Sequence, residues 1–176
     1  FTMLSFEDEP DNHLVRSKLY AKKNFYQKEI PLKKNTKFFK KKRLRIGYFS
    51  ADFQNHATMY LMSDIFEKYN REKFKVYVYS FGKSSDSDGI RQKLKKSVDV
   101  FRDVIDLDEK NTALLSKEDK IDIAVDLKGY TRNSRPKIFA YRAAPIQINF
   151  LGYPGTIGAD FMDYIIADTV IIPDNK

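Results

Sequence analysis

The chain has 176 residues, 42% of them hydrophobic, 14% aromatic and 32% charged, with a net charge of +8 and no cysteine. That length suits one domain with a sizeable core, and the supply of Ile, Val, Phe and Tyr excludes wholesale disorder. No run approaches about 18 apolar residues, so no membrane-spanning helix is expected, and the lack of thiols closes disulfide, thiolate-zinc, iron–sulfur and cysteine-nucleophile chemistry. With His13 and His56 as the two histidines, a multi-histidine metal site is not expected either. The first residue is Phe1 and no basic-then-apolar leader follows it, which reads as a cytoplasmic protein cut from a longer chain.

The charge is concentrated. Residues 1–45 carry 13 Lys and Arg against 5 Asp and Glu, the whole excess, and residues 46–176 are neutral. The acid-free run from Lys33 to Arg45 reads as a solvated basic linker; Phe38 and Phe39 inside it leave open a nucleic-acid-binding arm with stacking aromatics. Upstream, Asp11 to Phe25 has the spacing of a short amphipathic helix with Leu14, Val15, Leu19 and Tyr20 as its apolar side and Asp11 or Asn12 as cap. Residues 1–42 are therefore expected to form a helical leader and linker, and residues 43–176 the folded unit.

From Arg43 the pattern alternates between short apolar runs and helix-like stretches. Leu44 to Phe49 reads as a strand. A helix follows from Thr58, with Met62, Ile65, Phe66 and Tyr69 as a buried stripe. Phe74 to Phe81 is apolar on both faces, as in a strand covered on two sides. Ile90 to Val98 reads as a Lys-rich surface helix, Val100 to Leu107 as a weaker strand, Glu109 to Lys117 as a helix and Ile121 to Leu127 as a strand. Ser134 is placed to cap a helix near Pro136, and Ile146 to Leu151 and Tyr164 to Ala167 complete the set. The expected fold class is α/β, a doubly wound, mostly parallel sheet, in which ligands gather at the carboxyl ends of the strands.

Three loops lie at that edge. Ser50 to Thr58 contains His56, which can handle a proton or donate to a sugar or phosphate oxygen, or simply cap the helix. Lys128-Gly129-Tyr130-Thr131 offers a cation and a hydroxyl to a polar ligand, or is a plain turn with Thr131 or Asn133 as cap. Leu151 to Gly158 holds three of the seven glycines in a G-x-x-G-x-x-G pattern with a proline inside, which is neither a dinucleotide fingerprint nor a P-loop. It can present backbone N–H groups to an anionic or hydroxyl-rich ligand, or be a rigid turn. Asp52, Asp126, Asp160 and Asp163 are scattered, and Asp160, Asp163 and Asp168 read as turn and capping residues.

Taken in order, the blocks Arg43 to Phe53 with Asn55-His56, Ile121 to Thr131 (IDIAVDLKGYT), and Ala144 to Gln147 running into LGYPGT and Phe161 to Ile166 resemble the O-linked N-acetylglucosamine transferase, or SPINDLY-like, family. AVDLKGYT and Tyr60 are closer to its bacterial members. The resemblance implies a GT-B glycosyltransferase with two Rossmann-like halves facing across a cleft, usually preceded by tetratricopeptide repeats. This chain would be the N-terminal half of the catalytic region, with the nucleotide-binding C-terminal half and upstream repeats as partners in the complete protein. The implied activity is inverting transfer of N-acetylglucosamine, or a related sugar, from a UDP- or GDP-sugar donor to Ser/Thr hydroxyls of an acceptor protein, with no cofactor. His56 matches the family's active-site histidine, and Thr131 with Gly152, Tyr153, Pro154, Gly155 and Thr156 matches positions on the sugar side of the cleft. The different reading, from the residues alone, is a non-catalytic α/β binding module with a basic nucleic-acid arm.

Overall fold

Runs of β-branched and aromatic residues bury both faces of a strand, and such strands need a sheet with helices above and below. The computed structural model, which describes residues 2–25, 43–83 and 85–173, builds that sheet. Its strands are β1 (Leu44–Ser50), β2 (Phe74–Ser80), β3 (Val100–Asp103), β4 (Ile123–Asp126), β5 (Ile146–Phe150) and β6 (Tyr164–Ile166). The helices are α1 (Pro10–Phe25), α2 (Ala57–Lys68), α3 (Gly89–Ser97), α4 (Glu109–Glu118) and α5 (Lys137–Ala140). All pairings are parallel and the order is β3-β2-β1-β4-β5-β6. The expected doubly wound, Rossmann-like sheet is thus present. Its order reverses between β1 and β4, which opens a crevice where their carboxyl ends part.

Each face has its own core. On one, Phe49 stacks on Tyr79 with centroids 4.4 Å apart, and Ala113 of α4 with Ile138 and Phe139 of α5 close over them. On the other, Met59, Met62 and Phe66 of α2 and Leu94 of α3 pack on Val76, Val78 and Val125. The α2 stripe is Met59-Met62-Phe66, each buried and each contributing roughly 2 kcal/mol. Ile65 is turned outward, a correction to the expected stripe: the helix presents the next row of its surface to the sheet.

Local chemistry sets the boundaries. Asp88 and Asp108 cap α3 and α4 by accepting from Arg91 N and Asn111 N. β3 stops at Asp103, short of the expected Leu107, because β2 ends at Ser80; Val104 N still reaches Ser80 O, and Leu107 N closes a turn onto Val104 O. The helix α5 starts without a side-chain cap, so Ser134 does not serve as one. Asp163 is no turn residue: it pairs with the buried Arg142 at 2.6 Å and accepts from Gln147 N, tying β6 to β5. Asp168 does cap its turn, accepting from Val170 N and Ile171 N.

The surface helix α3 hides a charge. Arg91 is 1% exposed, donates to Ser80 Oγ at 2.9 Å, pairs with Asp103 and lies over the Phe101 ring. α1 also departs from its expected polarity. Val15, Leu19 and Tyr20 are exposed, whereas Ser17 and Ala21 are buried, since the helix docks through small residues. Neither Asp11 nor Asn12 precedes it; the helix begins at Pro10, and Asn12 donates to Glu7. Of the basic run, Lys33 to Lys42 with Phe38 and Phe39 lies outside the described residues. Arg43 binds Phe74 O and Asp99, and Arg45 binds Asp119 O, so both are engaged within the fold.

Candidate active site

The loop after β1 turns back on itself at the crevice. Ser50 Oγ accepts from Asp52 N, and the chain then reaches His56, which occupies the N-cap of α2 in extended backbone (φ −151°, ψ 152°). His56 Nδ1 accepts from Thr58 N at 3.2 Å, satisfying a helix-end donor. The same nitrogen stands 3.7 Å from Asp52 Oδ2. The ring is half-exposed, with 43% of the side chain open to solvent.

The loop after β4 reaches across the crevice to this group. Lys128 Nζ donates to Asp52 Oδ2 at 2.6 Å, and both side chains are buried. The expectation that Lys128 offers a free cation to a ligand is therefore corrected: its charge is held by Asp52. Two residues back, the Asp126 carboxylate accepts from Lys128 N at 2.9 Å and Gly129 N at 3.1 Å, with Asn149 Nδ2 of β5 at 3.4 Å. Burial pushes the Asp126 carboxyl up to about 6, against the opposing pull of those N–H groups and of Lys128. Thr131 donates its hydroxyl to Lys128 O at 2.7 Å and closes the turn, leaving an oxygen that can still accept.

The third loop is built onto the second. Gly152 lies against the backbone of Leu127, where a side chain has no room, and Tyr153 covers Gly129 with its ring 5.5 Å from that of Tyr130. Pro154 is exposed; Gly155 and Thr156 are half-buried and line an open groove of about 1970 Å³ that runs along α1 and the chain after β5. The other end of the loop is braced by α1. Gly158 (φ +59°) approaches Lys18 N and Ser17 so closely that a β-carbon would lie 2.7 Å from each, Tyr20 and Phe25 pack on Tyr130, and Phe25 meets Phe161. A smaller cavity of about 370 Å³ opens between α1, Tyr130 and Tyr153, with His13 and Arg16 in its wall.

His56 is in neither cavity's lining. It is joined to the glycine loop through the chain of contacts His56–Asp52–Lys128 and Gly129–Tyr153, along adjoining strand ends. Among the described residues, no group of three or more His, Asp or Glu side chains is arranged to hold a metal ion, and no helix is long and apolar enough to cross a membrane.

Residues 16–176 match the sequence profile of glycosyl transferase family 41. The chain belongs to this family. It is 39% identical over 144 residues to the Arabidopsis thaliana protein named probable UDP-N-acetylglucosamine–peptide N-acetylglucosaminyltransferase SEC, covering 82% of this chain and 14% of the plant protein. It is 42% identical over 132 residues to the Caenorhabditis elegans UDP-N-acetylglucosamine–peptide N-acetylglucosaminyltransferase, covering 74% of this chain and 11% of the worm protein. In structure it is similar to a mutant O-GlcNAc transferase of Thermobaculum terrenum, with a TM-score of 0.78 and 29% identity, over 91% of this chain and 30% of that one. The chain thus spans 14% of the plant relative's length and 30% of the bacterial chain's. This family 41 member has two features that sequence reasoning misses: the buried Asp52–Lys128 pair under His56, and the use of Asn149 to bridge β5 to Asp126. The D-x-x-x-H spacing of Asp52 and His56 is a usable signal for part of the first. Nothing local signals that Lys128 turns inward.

Proposed function

We propose that this chain is the N-terminal, acceptor-side half of the catalytic region of a GT-B glycosyltransferase. The complete protein would move N-acetylglucosamine, or a related sugar, from a UDP- or GDP-sugar to Ser or Thr hydroxyls of an acceptor protein with inversion, without a cofactor. The observation that carries this reading is the convergence of three strand-end loops, those of His56, Lys128-Gly129 and Gly152-Tyr153, at the switch point of a parallel sheet. Family 41 membership supports it, as do the names of the plant, worm and bacterial relatives.

The chemistry fits the residues. Inverting transfer needs a hydroxyl aligned behind the anomeric carbon and groups that hold the sugar while the diphosphate departs. A half-exposed imidazole can orient that hydroxyl or the sugar. The half-buried Gly155-Thr156 segment offers N–H groups and a hydroxyl to sugar oxygens, and Tyr153 holds that segment against the turn after β4. The donor's nucleotide would be held by the other half of the enzyme, with upstream repeats aligning the acceptor.

The test is transfer by the complete protein to Ser- and Thr-containing peptides, read by mass spectrometry with UDP-N-acetylglucosamine and GDP-fucose as alternative donors. Sugar on the peptide supports the reading and the preferred donor names the sugar; no transfer from either donor overturns it. Residues 1–176 alone should bind UDP weakly or not at all by calorimetry, and tight binding would show that the halves are assigned wrongly.

A further inference from the structure

His56 Nδ1 has two competing neighbours. Thr58 N donates to it at 3.2 Å, and Asp52 Oδ2 lies 3.7 Å away. A ring nitrogen that accepts an N–H carries no proton of its own, so in the neutral ring the proton sits on Nε2. A bare carboxylate at this distance favours the opposite arrangement, in which Nδ1 is protonated and points at the carboxylate, leaving Nε2 as an acceptor. The first arrangement makes His56 a hydrogen-bond donor to whatever faces it; the second makes it a base.

Lys128 stands where this choice is made. Its ammonium donates to the same Asp52 oxygen at 2.6 Å, and with 7% and 10% of their side chains exposed the two charges are little screened by water. Other polar groups of the two loops and of the β4 end are already committed. Asn55 N donates to Asp88, Asn55 Oδ1 accepts from Tyr60, and Asp126 is held by the amides of its own turn.

We propose that Lys128 is a positioning residue: by occupying Asp52 it leaves His56 Nδ1 to cap α2, fixes the ring proton on Nε2, and so presents His56 to substrate as a hydrogen-bond donor. The part of this that concerns substrate rests on the glycosyl-transfer reading. The part that concerns the ring does not.

The test is a long-range ¹H–¹⁵N correlation spectrum of the imidazoles in the chain, recorded at about pH 8, where histidine rings are ordinarily neutral. His13 and His56 are the two rings, and His13→Gln assigns them. The wild type should show His56 protonated at Nε2; protonation at Nδ1 there overturns the proposal at once. Lys128→Met should move His56 to the Nδ1-protonated or doubly protonated pattern, whereas Lys128→Arg, which keeps the charge, should keep the wild-type pattern. An unchanged pattern in folded Lys128→Met overturns the proposal. If that variant does not fold, Asp52→Asn combined with Lys128→Met removes both charges and should retain the Nε2 proton; Nδ1 protonation in it overturns the proposal. Because the readout is the ring itself, failure here is distinct from failure to transfer sugar.

Discussion

A β-carbon placed on Gly152 would lie 1.8 Å from the carbonyl oxygen of Leu127, so the third loop begins in direct backbone contact with the end of β4. Both sides of that contact are backbone, which cannot rotate away as a side-chain tip can. We expect Gly152→Ala to destabilise the chain by about 2 kcal/mol or more, a large effect for one methyl group. Gly89, where a β-carbon meets nothing within 4 Å, is the control: alanine there should be neutral or stabilising by about 0.5 kcal/mol. Urea unfolding of the two variants compares them directly. Equal stability would mean that the loop is not seated on β4.

This contact shows where sequence reasoning reaches its limit. The β-branched and aromatic runs of β1, β2 and β5 announce strands because burial on both faces imposes an unbroken apolar pattern, and the alternation with helices selects a parallel sheet. Strand ends are less legible, since β3 stops where its neighbour β2 runs out and not where its own residues change. The candidate loops are legible as strand-end segments, and His56 as a helix-start residue. The inward turn of Lys128 and the burial of Arg91 are not, because a cation's partner can lie far away in sequence: 76 positions separate Lys128 from Asp52. The docking face of α1 escapes periodicity for a related reason. Close approach to Gly158 favours Ser17 over the larger apolar residues that periodicity counts.

Arg91 and Asp103 divide their exposure unequally, with 1% of the arginine side chain open to solvent and 50% of the aspartate. Removing the aspartate therefore leaves a buried guanidinium whose remaining carboxylate, Asp86, is 3.6 Å away and largely in solvent. Asp103→Ala should cost about 2 kcal/mol, the scale of a charged hydrogen bond lost inside a protein. Asp103→Asn should cost less, as an amide oxygen still accepts. Thermal unfolding of the pair measures the difference, and an alanine variant within about 0.5 kcal/mol of wild type would mean that Asp86 suffices.

Asp126 makes stability depend on pH in an unusual direction. Its carboxyl is pushed up to about 6 by burial, above the ordinary carboxylate range, so between about 4 and 6 the folded chain binds a proton that the unfolded chain does not. Its contribution to stability is therefore larger at the acid end of that window and falls as pH rises through it. Glu7, Asp64, Asp86 and Asp88 are held below their usual values by hydrogen bonds and nearby cations. Burial raises Asp99, but the hydrogen bonds from Tyr69, Val76 N and Arg43 together outweigh it and hold that carboxyl low as well. These five lose their contributions only in stronger acid. The urea midpoint should rise from pH 7 to about pH 5, and Asp126→Asn should flatten that rise. A wild-type midpoint that falls over the same interval would show that the amides of Lys128 and Gly129 outweigh burial.

Two roles meet in His56, and they separate by substitution. As N-cap it contributes an acceptor to Thr58 N, which is typically worth about 1 kcal/mol, and its half-exposed imidazole is the group we propose for sugar or hydroxyl orientation. His56→Ala removes both and, in the complete protein, should lower peptide glycosylation by at least about tenfold, a threshold set below the roughly hundredfold or more that a general acid–base group contributes. His56→Asn restores a side-chain oxygen at the cap while leaving out the ring. We expect it to recover the stability lost in the alanine variant without recovering turnover. Initial rates with saturating donor, read beside thermal unfolding of both variants, decide the matter: turnover recovered together with stability would mean that His56 serves the helix alone.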